Sequence, residues 1–475
     1  MNTVTAKKAD KPVTAPALSQ YSAEELSVLY RQHKLSPVET ARAILEHIDV
    51  HNPVLNAFTF LDTGAVLDAA RQSEQRWHTG TQLSELDGIP VTIKDLLLAK
   101  GWPTLRGSRV VNPDQDWNED SPAVARLREH GAILLGKTTT AEFGWKPFGD
   151  SPLTGITRNP WCSTHTPGGS SGGSATAAAI GFGPLHVASD GGGSTRLPAA
   201  YSGVFGFKPS FGRVAAYPAA HTGTLFHVSP ITRTVRDTAL LLNAIARPDA
   251  RDFHALPHDN RDWRLGIEQG IAGLHIAFSP DLGYAKVDPE IGKLVAKAIK
   301  GFDELGANIE QITPPIEDPL LDIYRVLSGA AVARLFETLP QDRLSLAETG
   351  LQEVAEQGRQ IGTTRYLAAV QAREAFARAL HLFFGKWDLL LTPTTAMAAP
   401  LVELGIQNPR SGTSPFTYPF NLSQQPAASI PIGFTADGLP VGLQIVGPHH
   451  RDDLVLRAAR AYERRFPFAV TDTVR

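Results

Sequence analysis

The chain has 475 residues, 42% of them hydrophobic and 20% charged, enough to bury a large core and, by length alone, to form two or three domains. With 45 basic and 48 acidic residues its formal net charge is -3, which gives no reason to expect nucleic acid or an anionic membrane as a partner. No apolar run approaches the roughly 18 residues of a membrane-spanning helix, and the lone Cys162 excludes an internal disulfide.

In chain order, residues 1–18 mix Lys, Ala, Thr and Pro without periodicity and read as a mobile arm. The arm has no apolar core after its basic start, so it is not expected to be a secretory signal. Ser22-Ala23-Glu24-Glu25 and Ser36-Pro37-Val38-Glu39 fit capping boxes, each followed by apolar residues at helical spacing. Pro90-Val91-Thr92-Ile93 reads as a strand. Pro122 to His130 reads as a helix stopped by Gly131, and Ala132 to Leu135 as a buried strand. A glycine-rich stretch over residues 166–194 is interrupted by a small-residue helix from Ser174 to Ile180. Val204 to Phe207 and Ile231 to Val235 return to core structure. Asp288-Pro289-Glu290 caps a helix that runs to Leu305 and ends at Gly306. Several helices follow over 320–385. Asp388 to Leu391 and Val441 to Val446 read as strands. This alternation predicts an α/β fold with a largely buried sheet.

The unusual segments are Thr166-Pro167-Gly168-Gly169-Ser170-Ser171-Gly172-Gly173-Ser174 and Ser189-Asp190-Gly191-Gly192-Gly193-Ser194-Thr195-Arg196. Glycine lets backbone approach a ligand closely, and successive N–H groups can form an anion-binding concavity. A serine beside such a concavity is a candidate nucleophile with an oxyanion hole next to it. The apolar helical sequence between the loops argues against a flexible linker. A serine needs a base, and Lys94, ending an apolar strand before Leu96-Leu97-Leu98, is a candidate for desolvation and a lowered pKa. Taken on these residues alone, Lys94 reads better as a strand-end lysine paired to Asp95 at the surface.

Together these segments resemble the amidase signature family. Lys94-Asp95, the Gly-Gly-Ser-Ser-Gly-Gly loop and the Asp-x-Gly-Gly-Ser-x-Arg loop match its motifs in order. So do Gly131 to Thr138, Glu142-Phe143, Asn159-Pro160-Trp161, Gly206 to Ser210 and Gly438 to Gln444. The resemblance covers about residues 22–465 and is weakest over 246–390. It reverses the surface reading of Lys94. It implies a single amidase domain over 19–475, built on one large mixed, mostly buried central sheet flanked by helices, with 246–390 a variable, largely helical substrate-side insert. The implied function is hydrolysis of small aryl or alkyl amides, with carbamates and esters as further substrates. The implied triad is Lys94 as base, Ser170 as bridging serine after a cis peptide bond, and Ser194 as nucleophile. Backbone N–H groups of Gly191, Gly192, Gly193 and Ser194 would hold the oxyanion, with Gly144 also contacting substrate. Asp190 and Arg196 would brace the loop. No cofactor or metal is implied, the partner is a small-molecule amide, and a homodimer is left open. The cytoplasm is the simplest compartment for a chain without disulfides.

Two departures stand out: Gly191 where an apolar residue is frequent, and Gln424-Gln425-Pro426 in place of Thr-Gly-Pro. The alternative function is the glutaminase (A) subunit of a tRNA-dependent amidotransferase; a non-catalytic scaffold is less favoured. Gly168 to Gly172 also fits G-x-S-x-G, but no strand precedes it. Gly131 to Thr138 fits a phosphate-loop pattern, but its interior reads as a strand. His449-His450 with Asp452-Asp453 lacks further ligands at metal spacing. Cys162 shows no histidine placed to activate it. Substrate choice is expected from 140–157, 320–370 and 405–425, where Phe143, Trp145, Phe148, Leu153, Tyr324, Phe416 and Phe420 would suit an apolar or aryl group.

Overall fold

The computed structural model describes residues 18–316, 320–408, 415–471 and 474, so all of the predicted arm but Leu18 lies outside the described residues. Both capping boxes form. Ser22 Oγ accepts from Glu25 N at 3.2 Å while Glu25 Oε2 accepts from Ser22 N at 2.8 Å. Ser36 and Glu39 do the same at 3.1 and 2.8 Å. These reciprocal bonds satisfy N–H groups that a helix start leaves without partners, and they open helices Ala23–Arg31 and Pro37–Leu55.

The strands are β1 Phe58–Leu61, β2 Pro90–Lys94, β3 Ile133–Thr138, β4 Asp150–Ser151, β5 Gly155–Ile156, β6 Leu185–Asp190, β7 Phe205–Lys208, β8 His227–Thr232, β9 His275–Phe278, β10 Asn308–Gln311, β11 Leu389–Pro393, β12 Ala427–Phe434 and β13 Pro440–Val446. Among the described residues, strands β4 and β5 form a separate ribbon and the other 11 make one mixed sheet, ordered β1-β3-β2-β6-β8-β7-β12-β13-β11-β9-β10. Every residue of β2, β3 and β6 is buried, because helices cover both faces of this parallel part. Strands β2 and β6 run parallel, with Ile93 opposite Val187. Their carboxyl ends, Lys94 and Asp190, therefore emerge at the same edge of the sheet, where ligands bind in open α/β sheets.

The helix Gly172–Ile180 is buried along its whole length. Ala175, Ala178 and Ala179 pack on Ala188, Ala199, Val204 and Ile231. A Cβ at Gly173 would come within 2.4 Å of Thr139 Oγ1, so only glycine lets this helix sit so close to the end of β3. Residues 246–390 hold helices Leu320–Thr338, Thr349–Arg359 and Thr363–Phe383, and also β9 and β10, which extend the common sheet. Val332, Phe336, Leu351 and Ala355 pack with Val110, Val111 and Phe143, fastening the helices over the carboxyl edge. Among the described residues no helix is long and apolar enough to cross a membrane.

Candidate active site

Strand β2 delivers Lys94 into an enclosed position with no measurable exposure. Its Nζ lies 2.8 Å from Ser170 Oγ and 2.8 Å from Ser171 Oγ. Asp95 does not pair with it. Asp95 is buried against Lys137, with Nζ 3.1 Å from Oδ1, and Lys137 also donates to Leu97 O and Thr104 Oγ1. The surface Lys94–Asp95 pair suggested by the local sequence is therefore replaced by a buried pair between neighbouring strands. Burial pushes the Lys94 ammonium down to about 7, against a smaller opposing pull from Asp190. A substantial fraction is then neutral at physiological pH, with a lone pair to accept a proton.

Ser171 decides which way that lone pair points. Its hydroxyl donates to Ser189 O at 3.1 Å, so its oxygen accepts an N–H from Lys94. The remaining short contact, to Ser170, is then free to take the opposite polarity, with the Ser170 hydroxyl donating. Sequence reasoning missed Ser171; the doubled serine of the loop was the available signal. The Gly169–Ser170 peptide is cis, as the family resemblance implied. Gly144, at φ +77°, abuts Ser170: an added Cβ would stand 3.2 Å from its Oγ.

The second serine loop follows β6 and is held by a buried ion pair. Arg196 Nη2 and Nε donate to Asp190 at 2.9 and 3.0 Å, and Arg196 also donates to Thr417 O, Gln444 Oε1 and Asn421 Oδ1. Burial disfavours the Asp190 carboxylate, but Arg196, Lys208 and Asn421 outweigh it and hold the carboxyl well below its usual range. Asp190 Oδ1 also accepts the Gly193 N–H at 2.8 Å. That corrects the expectation that all four loop N–H groups face an oxyanion: the Gly193 donor is spent on bracing. The N–H groups of Gly191, Gly192 and Ser194 have no acceptor among the described residues. Thr417 Oγ1 donates to Gly192 O at 2.7 Å and Tyr324 Oη to Gly191 O at 3.3 Å, fixing the outward face of the loop. The Ser194 hydroxyl makes no hydrogen bond to a described residue and borders the cavity, as do Ser170, Gly144, Gly191 and Gly192.

The cavity measures about 890 Å³. Phe143, Trp145 and Tyr324 line it as expected. Phe148, Leu153, Phe416 and Phe420 do not; Phe148, Phe416 and Phe420 are almost wholly buried in the protein interior. Apolar character alone did not separate pocket wall from core. Two contributing segments were not anticipated: residues 217–222, which contain a cis Tyr217–Pro218 bond, and residues 284–286. The reading of Cys162 also changes, since His165 Nδ1 lies 3.1 Å from its Sγ.

A buried lysine lies within hydrogen-bond reach of one loop serine, and a second serine sits beside unspent backbone donors, a set of groups suited to serine-type acyl transfer. Residues 39–456 match the Amidase family. The chain is 34% identical to the acylamidase of Rhodococcus erythropolis, covering 96% of this chain and 98% of that one. It is 33% identical to the A subunit of the glutamyl-tRNA(Gln) amidotransferase of Symbiobacterium thermophilum, over 93% and 96% of the two chains. Its fold matches the crystal structure of a bacterial aryl acylamidase of the amidase signature family with a TM-score of 0.87, at 29% identity over 94% and 96% of the chains. The protein belongs to the amidase signature family and is a hydrolase of C–N bonds.

Proposed function

We propose that this amidase cleaves small aryl or alkyl amides through an acyl-enzyme on Ser194. The observation that carries the reading is the buried Lys94 amine, 2.8 Å from Ser170 Oγ and titrating near 7 beneath the cavity. Lys94 takes a proton from Ser170 as Ser170 takes one from Ser194, and Ser194 Oγ attacks the carbonyl. The N–H groups of Gly191, Gly192 and Ser194 stabilise the oxyanion, each such donor contributing about 3 kcal/mol in comparable sites. Ser170 returns its proton to the leaving amine, and water activated through the same relay releases the acid.

The apolar wall of Leu96, Phe143, Trp145, Val332 and Leu335 supports an aryl or alkyl group. Similarity to an acylamidase and an aryl acylamidase supports it independently. A glutaminase component of a larger complex is the second reading, favoured by the 33% identity to the A subunit of a glutamyl-tRNA(Gln) amidotransferase. The test is amine release from a neutral chromogenic anilide by wild type and Ser194→Ala. Turnover that disappears in the variant supports the reading. Turnover that survives in the variant removes Ser194 as nucleophile. Turnover of free glutamine, with none of the anilide, favours the second reading.

A further inference from the structure

The charged groups around the cavity are all basic. Arg106, Lys286, Arg325 and Arg334 border it, with His221, and no Asp or Glu does so among the described residues. Three of the four cations are exposed, and Arg334 is already paired with Glu337. Arg106 differs. It is half-buried, and its guanidinium makes no hydrogen bond or ion pair with a described residue. Asp95 attracts it through space and accepts its backbone N–H, but the Asp95 carboxylate is committed to Lys137 and to the Gly107 N–H, and makes no hydrogen bond to the guanidinium. A cation taken partly out of water with no hydrogen-bonded counter-ion is costly, and such groups are normally paired.

The backbone holds Arg106 where it is. Its φ is +58°, in the region that favours glycine, and its carbonyl accepts the Phe143 N–H at 2.8 Å. A Cβ at the following Gly107 would collide with Thr140 O at 2.5 Å, so this turn is packed tightly against the end of β3. A non-glycine residue kept in that conformation at a cavity wall points to function. The position is close to the chemistry on both sides. Phe143 leads into Gly144, which abuts Ser170. His221 leads into Thr222, whose Oγ1 is 3.9 Å from where a Gly191 Cβ would lie. Burial and the neighbouring Arg106 charge depress His221 to about 4, so at neutral pH Arg106 carries the charge of this wall.

We infer that this cavity selects amides that carry a carboxylate, and that the Arg106 guanidinium is the group that reads it. The inference rests on the cavity being the amidase site and narrows its substrate class. An arginine offers a fork of donors matched to a carboxylate, while the apolar wall holds the rest of the molecule. The exposed Lys286 and Arg325 favour approach of an anion without fixing its pose.

The experiment measures binding in a Ser194→Ala background by calorimetry, using two pairs of ligands. Succinanilic acid against butyranilide places the charge on the acyl side; 4-acetamidobenzoate against acetanilide places it on the amine side. In at least one pair the carboxylate is expected to bind roughly tenfold or more tightly than its neutral partner. Arg106→Gln is expected to erase that ratio, and Arg106→Lys to keep part of it. Circular dichroism of each variant establishes that the fold is retained. Equal affinities in both pairs, or a preference that survives Arg106→Gln, overturns the inference. Neither result depends on which group attacks the carbonyl, which the anilide turnover of Ser194→Ala decides separately.

Discussion

Lowering the pH should silence this enzyme through Lys94. The side chain is wholly buried, and burial brings it from 10.5 down to about 7. The proposed relay needs the neutral amine, so activity is expected to fall as pH drops through that value. A group titrating at 7 is about 90% neutral at pH 8 and about 10% neutral at pH 6, which predicts a roughly tenfold lower kcat/KM at the lower pH. The assay is initial-rate amine release from a neutral anilide between pH 5.5 and 9, where the substrate does not ionise and kcat/KM reports the free enzyme. Preincubation at each pH followed by assay at pH 8 separates titration from unfolding. A profile flat from pH 6 to 8, or an acid limb near 4 to 5 as for a carboxylate, would refute the assignment of Lys94 as base. The same shift has a stability counterpart of fixed sign. Below pH 7 Lys94 is protonated in both folded and unfolded chains, and the native state bears the full cost of a buried charge. Between 7 and 10.5 the native state has released the proton and the unfolded state has not, so this cost fades as pH rises. Lys94→Met should therefore stabilise the protein by a few kcal/mol at pH 6, and the gain should shrink by pH 10 in urea titrations.

Two further substitutions test the supporting contacts. Ser171→Ala removes the oxygen that takes an N–H from Lys94, and should lower kcat about tenfold with KM little changed, the value of about one hydrogen bond; an unchanged kcat would mean that Ser171 only supports Ser189. Arg196→Met leaves Asp190 buried without its main partner and should cost about 3–5 kcal/mol of stability. Because the Asp190 carboxyl is depressed in the native state, the contribution it makes in wild type is present above the ordinary carboxylate pKa and fades in acid. The penalty of Arg196→Met, followed by denaturant unfolding, should accordingly be smaller at pH 3 than at pH 7.

What the sequence by itself determined was local or carried by motif order. The capping boxes at Ser22 and Ser36 form because their partners lie three residues away, within one turn of chain. The two serine loops and the buried strand before Lys94 were legible from glycine placement and apolar runs, and motif order led to the family. Only the tertiary structure decided the polarity of the site. Asp95 follows Lys94 directly, yet strand pairing turns it to Lys137, 42 residues on, and leaves Lys94 without a carboxylate contact among the described residues. Whether Gly193 donates to an oxyanion or to Asp190 depends on a loop closed by Arg196, Asn421 and Thr417, far apart in the chain. Phe143 and Phe420 are alike in composition, but one faces the cavity and the other the core. Desolvation, which lowers the Lys94 pKa and sets Arg106 apart from the exposed cations, is a property of what surrounds a residue in space, and a linear sequence does not specify it.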